Sequence, residues 1–249
     1  MASAAPRTLA DLPTGHPCGG CDARRVALCG VLDCTDLTTL RCLGGTQALT
    51  GGHALFHEGD RASQVYNITN GAIRLTKLLP DGRRQVMGFM FPGDFLGITL
   101  GDEHAFTAEA LGDTLLCRFP RARFDEFVEE HPELERELYR KAAHELAAAQ
   151  AQMLLLGRKS AAERLASFFL DLAARQQRLT AATSRFVDLP MCRADVADYL
   201  GLTKETVSRL LAQLKQQRLL RLETLNQVEL LDLPGLTTLA EGGADMLAA

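Results

Sequence analysis

Between residues 44 and 113 a turn signal recurs every seven to twelve residues. The signals are Gly44-Gly45, Gly51-Gly52, Gly59-Asp60, Asn70-Gly71, Pro80-Asp81-Gly82, Pro92-Gly93-Asp94, Gly101-Asp102 and Gly112-Asp113. Such punctuation leaves no room for a helix of ordinary length. The intervening runs, such as Ala72–Leu79, Arg83–Phe91 and Leu115–Phe119, favour strands. Short, evenly spaced strands closed by Gly/Asp turns predict an antiparallel β-roll, a sandwich or jelly roll. The pairing of the strands does not follow from the pattern.

Near residue 121 the period changes. Phe124, Phe127, Leu134, Leu138, Ala142, Leu146, Ala149, Met153 and Leu156 follow mostly three or four apart. Pro132 interrupts only the start of this run, so a helix over about 133–156 is expected. A helix of that length either packs on its own domain or forms a two-helix seam with a second copy. The seam reading is favoured, with Leu138, Leu146, Ala149, Met153 and Leu156 as dimerisation residues. A second amphipathic helix spans 160–178, with Leu165, Phe168, Phe169 and Leu172 on one side. A strand-like segment at Phe186–Pro190 follows, then helices over 193–200 and 203–217. A small hairpin is expected from Leu219–Leu222 and Val228–Leu231, and the tail from Pro234 has no strong pattern. The fold class implied is α+β. Five segments result: a cysteine-rich region 1–43, a β domain 44–120, a dimer helix 121–157, a mixed helical domain 158–234 and a tail 235–249.

The stretch from Asp195 to Leu211 is the most specific signal. Gly201 can take the left-handed conformation that ends one helix and turns into the next, and Thr203 is a good N-cap for the second. Val196, Leu200, Val207, Leu210 and Leu214 supply apolar faces to hold the pair together. Glu205, Ser208 and Arg209 stand at i, i+3 and i+4, on one face near the helix start. That face suits the major groove: a forked guanidinium matches guanine O6/N7 and a carboxylate accepts from cytosine N4. Thr203, Lys204 and Lys215 complete the expected DNA-binding set, and Lys215, Arg218 and Arg221 are placed to meet phosphates. The bland alternative is a surface ion pair between Glu205 and Arg209. Charge fits the groove-reading assignment. The chain carries −4 in total, yet residues 158–234 hold twelve Lys/Arg against nine Asp/Glu.

Near the N-terminus stand Cys18, Cys21 and Cys29, a C-x2-C-x7-C spacing. Clustered thiolates favour zinc, copper(I) or iron–sulfur clusters, and spacing alone does not choose a fourth ligand. No apolar run approaches bilayer length, and the first seventeen residues lack a signal-peptide core, so a cytoplasmic chain with reduced thiols is expected.

These residues resemble a family. Leu200-Gly-Leu-Thr-Lys-Glu-Thr-Val-Ser-Arg-Leu-Leu211 is similar to the FNR-type reading segment, and Leu154–Leu156 and Glu163-Arg-Leu165 resemble the hinge of the catabolite-activator/FNR (Crp/Fnr) superfamily. The likeness extends from Cys18 to about Leu233. It implies a β-roll, cyclic-nucleotide-binding-like sensor domain, a long dimerisation helix and a C-terminal winged helix-turn-helix. Members with an N-terminal cysteine cluster hold an oxygen-labile 4Fe–4S cluster on three such cysteines and one from a late strand of the roll. Leu115-Leu-Cys117-Arg-Phe-Pro120 resembles the segment carrying the fourth, so the resemblance implies metal ligation by Cys18, Cys21, Cys29 and Cys117. It further implies an oxygen-responsive homodimer that binds a palindrome like TTGAT, four free bases, ATCAA, contacts RNA polymerase and regulates anaerobic genes. Arg24 and Arg25, inside the cysteine loop, either offset the cluster's charge or are simply solvated.

Two departures stand out. Cyclic-nucleotide members use an Arg-Ser/Thr pair for the phosphate, whereas Phe106-Thr-Ala-Glu109 stands here, so no cyclic nucleotide is expected. Cys192 stands where the family commonly has a Ser/Thr cap. Cys34 and Cys42 read as small hydrophobes, though Cys34 lies close enough to substitute as a ligand. His16, His53 and His57 read as solvated or structural, and no catalytic constellation is evident. The competing readings of the cysteines are zinc binding and thiol-redox sensing; an electron carrier with an incidental helix-turn-helix fits worse.

Overall fold

The computed structural model describes residue 12 and residues 14–99, 101–180 and 184–243; expectations for the remaining residues lie outside it. It divides into two compact units, Met1–Leu75 with Phe89–His144, and Thr76–Gly88 with Glu145–Ala249.

The first contains the expected roll. Its strands are β1 (Gly45–Leu49), β2 (Ala54–Phe56), β3 (Gln64–Asn70), β4 (Ile73–Leu78), β5 (Arg84–Met90), β6 (Phe95–Leu96), β7 (Thr107–Ala110) and β8 (Thr114–Pro120). They form two sheets of order β1-β8-β3-β6 and β2-β7-β4-β5, with residues 76–88 of the β4–β5 hairpin belonging to the second unit. Strand β8 is central to the first sheet. It pairs antiparallel with β1 from Gly45↔Arg118 to Leu49↔Thr114, and with β3 through Val65↔Phe119 and Ile68↔Leu116. Alternation then sorts side chains to two faces. Tyr66, Ile68 and Leu116 fill the interior between the sheets with Phe56, Ile73, Leu75, Met90, Leu96 and Ala108. Val65 and Phe119 face the other way, onto a second apolar cluster with Leu28, Leu32, Leu37, Leu40, Phe124, Phe127 and Leu134.

That second cluster is roofed by elements the periodicity does not announce. Two 3₁₀ turns, Asp22–Arg25 and Leu28–Val31, lead into α1 (Cys34–Cys42). Asp33 caps α1 by accepting from the Thr35 and Asp36 amides at 2.8 and 2.9 Å. On the far side lies α2 (Arg121–Glu130). His131 ends it because the residue before proline is driven out of the helical region, and Pro132 opens α3 (Pro132–Arg158).

The second unit holds α4 (Ala161–Thr180), β9 (Phe186–Asp188), α5 (Arg193–Leu200), α6 (Lys204–Gln216), β10 (Leu220–Leu222), β11 (Gln227–Leu230) and α7 (Leu233–Ala240). Leu165, Phe168, Phe169 and Leu172 are buried, as the stripe on α4 predicts. Strands β10, β11 and β9 make a three-stranded antiparallel sheet in that order. Helix α7 falls where the sequence shows no strong pattern. Asp232 caps it, Pro234 lies in its first turn, and Leu236, Leu239 and Ala240 are buried.

Candidate nucleic-acid interface and the cysteine cavity

Helix α5 is anchored at both ends. At its start Asp195 reaches back and accepts from the Cys192 amide at 3.2 Å and the Cys192 thiol at 3.1 Å. The Asp195 carboxylate thus serves the Cys192 amide, one half of a capping box whose other half sets the Cys192 side chain against the Asp195 amide. Asp195 is only 2% exposed, and its charge is met by Arg84 Nη2 at 2.8 Å. Arg84 also binds Asp198 through Nε at 2.9 Å and Nη2 at 2.6 Å, while Gln85 donates to the Asp198 carbonyl. At its end Gly201 takes φ 63°, ψ 40°, the left-handed geometry expected of it.

The turn then delivers Thr203, whose hydroxyl accepts from the Thr206 amide at 3.1 Å and caps α6. Val196, Ala197 and Leu200 of α5 are buried, as are Val207, Leu211 and Leu214 of α6. Leu211, rather than the expected Leu210, belongs to this buried face, since 207, 211 and 214 follow one helical stripe. Lys204, Glu205, Arg209 and Lys215 are exposed and Ser208 is half-buried. No Glu205–Arg209 ion pair forms among the described residues. Arg209 Nη2 instead donates to Thr206 Oγ1 at 3.3 Å. Arg221 is held by Glu223 and by Glu229, the latter at 2.6 Å, while Arg218 stands exposed.

The helix pair is braced by Arg164. Its Nη1 donates to the Leu200 carbonyl at 3.0 Å, Nη2 to Leu156 at 2.8 Å and Nε to Lys159 at 2.9 Å. Ser160 and Glu163 make a reciprocal cap at the start of α4, with the hydroxyl donating to Glu163 Oε1 at 2.8 Å. The S-x-x-E spacing was the sequence signal for it. On α3, Leu146, Ala149 and Met153 are exposed, Met153 to 74%. Leu138 packs against its own unit's second apolar cluster, and Leu156 is half-buried near Gly201.

Three of the four cysteines of the expected ligand set are brought to one cavity, each partly buried, and Cys21 is not among them. Cys18, Cys29 and Cys117 line a cavity of about 30 Å³ whose walls are chiefly Leu28, Leu37, Leu40, Phe95, Phe119 and Phe124. Burial pushes the Cys29 thiol up to about 12 and Cys117 to about 11, and raises Cys18; the neighbouring sulfurs add to the shift at each. Arg24 is not merely solvated, since its Nη2 donates to the Leu32 carbonyl at 2.9 Å. His16 Nδ1 accepts from the Cys18 amide, a local turn contact. Cys34 is buried and Cys42 and Cys192 are exposed. In the stretch 106–109, where the resemblance led to no phosphate-binding arginine being expected, Phe106 packs on Phe56 with ring centres 6.0 Å apart, and Glu109 pairs with Arg74 at 2.8 Å.

Comparison with known proteins follows this division. The model of the cyclic nucleotide-binding domain matches residues 46–131, and that of the Crp-like helix-turn-helix domain matches 163–239. The nitrogen fixation regulation protein FixK of Bradyrhizobium diazoefficiens is 45% identical over 204 residues, covering 82% of this chain and 86% of that protein. The transcriptional activator protein FnrL of Cereibacter sphaeroides is 37% identical over 242 residues, covering 96% and 97%. The solved structure of FixK2 from Bradyrhizobium japonicum is similar with a TM-score of 0.73 at 38% identity, covering 79% of this chain and 96% of that one. The fold, the match to the Crp-like helix-turn-helix domain and these relatives define a DNA-binding regulator rather than an enzyme. The chain belongs to the Crp/Fnr superfamily of transcriptional regulators. Its architecture is that of the family: a cyclic-nucleotide-binding-like β sensor domain, a long helix of the dimeric type and a Crp-type helix-turn-helix. No helix among the described residues is long and apolar enough to cross a membrane.

One part of the resemblance is corrected. Among the described residues no group of three or more His, Cys, Asp or Glu is placed to hold a metal ion. The expected 4Fe–4S cofactor on Cys18, Cys21, Cys29 and Cys117 therefore does not fit this arrangement, and neither does zinc. With it falls the oxygen-responsive function drawn from that cluster. The physical reason is geometric: Cys21 does not line the cavity that Cys18, Cys29 and Cys117 share, so the four sulfurs are not gathered around one point. The seven cysteines are free thiols.

Proposed function

We propose that this protein is a homodimeric transcription regulator that reads a palindromic promoter site by placing α6 in the major groove. The supporting observation is the exposed Glu205–Ser208–Arg209 face on a helix fixed by the Gly201 turn and the Thr203 cap. Arg209 takes guanine O6/N7, Glu205 a cytosine amino group, and Ser208 an adjacent base edge. Thr203, Lys204 and Lys215 contact phosphates and set register. Residues 158–234 are assigned to DNA binding, 44–120 to the sensor roll and 121–157 to dimerisation. Leu146, Ala149 and Met153 form the seam between copies, with half-buried Leu156 at one end, while Leu138 is taken up by its own unit's apolar cluster. The names of FixK and FnrL, regulation of nitrogen fixation and transcriptional activation, support an activator that works with RNA polymerase in the cytoplasm.

The test is fluorescence anisotropy on a duplex carrying TTGAT, four free bases and ATCAA. Arg209→Ala should lose about tenfold or more in preference for that duplex over one with the guanines exchanged. Lys215→Ala should weaken both duplexes alike and reduce the salt slope by about one unit. Equal preference in Arg209→Ala and the unaltered protein would refute the assignment.

A further inference from the structure

We propose that Thr206 is a positioning residue for base recognition: its hydroxyl holds the Arg209 guanidinium in the orientation that α6 presents to the groove. The inference rests on the reading of α6 as the groove-reading helix. Thr206 was absent from the residues expected to matter, because nothing in its spacing marks it.

Thr206 lies one turn before Arg209, so the two side chains are neighbours on the helix surface. Arg209 Nη2 donates to Thr206 Oγ1 at 3.3 Å, and Thr206 Oγ1 lies 3.0 Å from Thr203 Oγ1. Thr203 Oγ1 in turn accepts the Thr206 amide at 3.1 Å. A hydroxyl has one proton to give and can accept two. With Thr206 Oγ1 accepting from the guanidinium, its own proton is directed to Thr203. The chain of bonds thus runs from the backbone at the helix cap, through two hydroxyls, to the charged tip of Arg209. Threonine in a helix divides between two side-chain rotamers, and the bond to Thr203 selects one of them.

The competing partner for Arg209 is Glu205, four residues away, and no ion pair joins them among the described residues. The carboxylate and the guanidinium are therefore not consumed by each other. One N–H of the five rests on Thr206, which leaves the fork available for two acceptors on one base edge. An arginine ordered before binding has less side-chain freedom to lose when it docks.

The experiment uses the full chain and two duplexes. One carries the TTGAT and ATCAA half-sites, and the other replaces each guanine opposite Arg209 by 7-deazaguanine, which lacks N7. The ratio of the two affinities reads the arginine fork alone. The unaltered protein should prefer the guanine duplex, and Thr206→Val should reduce that preference by about fivefold, the loss of one exposed hydrogen bond. Thr206→Ser should restore it. The affinity for an unrelated duplex and the thermal midpoint should stay as they were. In an Arg209→Ala background Thr206→Val should change the ratio no further. A Thr206→Val protein with full preference, or one whose loss persists without Arg209, overturns the positioning role and leaves the groove-reading assignment standing. An unaltered protein with no preference for N7 removes that assignment, and this inference with it.

Discussion

Arg164 is the residue whose removal should most clearly separate a sound helix-turn-helix from a working one. Its three donors close carbonyls at two helix ends: Leu156 and Lys159, at and just beyond the last turn of α3, and Leu200 at the end of α5. These are carbonyls that a helix cannot satisfy internally. A hydrogen bond from a charged donor contributes about 1.5–3 kcal/mol, but Arg164 is half-buried and water can replace part of each bond. Taking about 1 kcal/mol apiece, Arg164→Met should cost about 3 kcal/mol, a large share of the 5–15 kcal/mol typical of a folded protein. For a chain of this size that corresponds to a fall in Tm of about 6–12 °C. Because Leu200 immediately precedes the Gly201 turn, loss of DNA affinity should exceed what the unfolded fraction explains. The assays are thermal denaturation by circular dichroism and anisotropy on the palindromic duplex at a temperature where the variant is folded. Arg164→Lys, with one ammonium in place of a fork, should recover only part of both losses. A methionine variant within about 0.5 kcal/mol of the original, or a lysine variant that recovers fully, would refute the reasoning.

Four further predictions follow. Iodoacetamide at about pH 8 should label exposed Cys42 and Cys192 well before Cys29 or Cys117. Burial raises the folded-state values of those two thiols, so the stability they contribute is fully present below the ordinary value of 9.0 and is lost as pH rises toward about 11 and about 12; Tm should fall over that alkaline window, and a flat profile would count against it. Gly201→Ala should cost about 1–2 kcal/mol from its left-handed backbone, since an added Cβ would meet only ordinary contacts with Arg164 and Leu156 at 3.5 Å; urea denaturation reads this directly. Asp195→Ala should cost about 2 kcal/mol, because it uncaps the Cys192 amide and leaves Arg84 with Asp198 alone; if Arg84→Met destabilises equally whether or not Asp195 is present, the two are not coupled.

The parts of the fold that could be read directly are those where local chemistry decides. The Gly/Asp turns marked the roll, the Gly201 turn and Thr203 cap marked the helix pair, and the stripe on α4 marked its buried face. What could not be read depends on residues far apart in the chain. The 3₁₀ turns and α1 exist because Leu28, Leu32, Leu37 and Leu40 find Val65 and Phe119 across the sheet. Helix α7 was signalled only by Asp232 and Pro234, since eight residues carry too little periodicity to stand out. The seam on α3 was legible as a stripe, but the stripe does not say that Leu138 would turn into its own core. The cysteine spacing misled for a related reason. It reports that sulfurs near in sequence can approach one another, whereas which of them meet depends on the cavity enclosed by α1, α2 and the roll, which Cys21 does not line. The bland alternative of a Glu205–Arg209 pair, open at i, i+4 spacing, is not taken up, since an intervening threonine holds the arginine.

The seating of Gly93 against Val26 carries a consequence for how the N-terminal segment can vary. A Cβ at position 93, where φ is 92°, would stand 2.4 Å from Val26 Cγ2 and 3.2 Å from the Val26 carbonyl carbon, so Val26 already fills the space a side chain would need. Directly beside this contact the Lys141 ammonium donates to the Val26 carbonyl at 2.8 Å and to the Gly93 carbonyl at 3.0 Å. One cation on α3 thus rivets the N-terminal segment to the turn between β5 and β6. Any side chain at position 93 would prise the segment outward and pull one acceptor from the rivet. Shortening or replacing the segment before α1 is therefore not a trim at a loose end: it removes a fixed bearing point of the long helix.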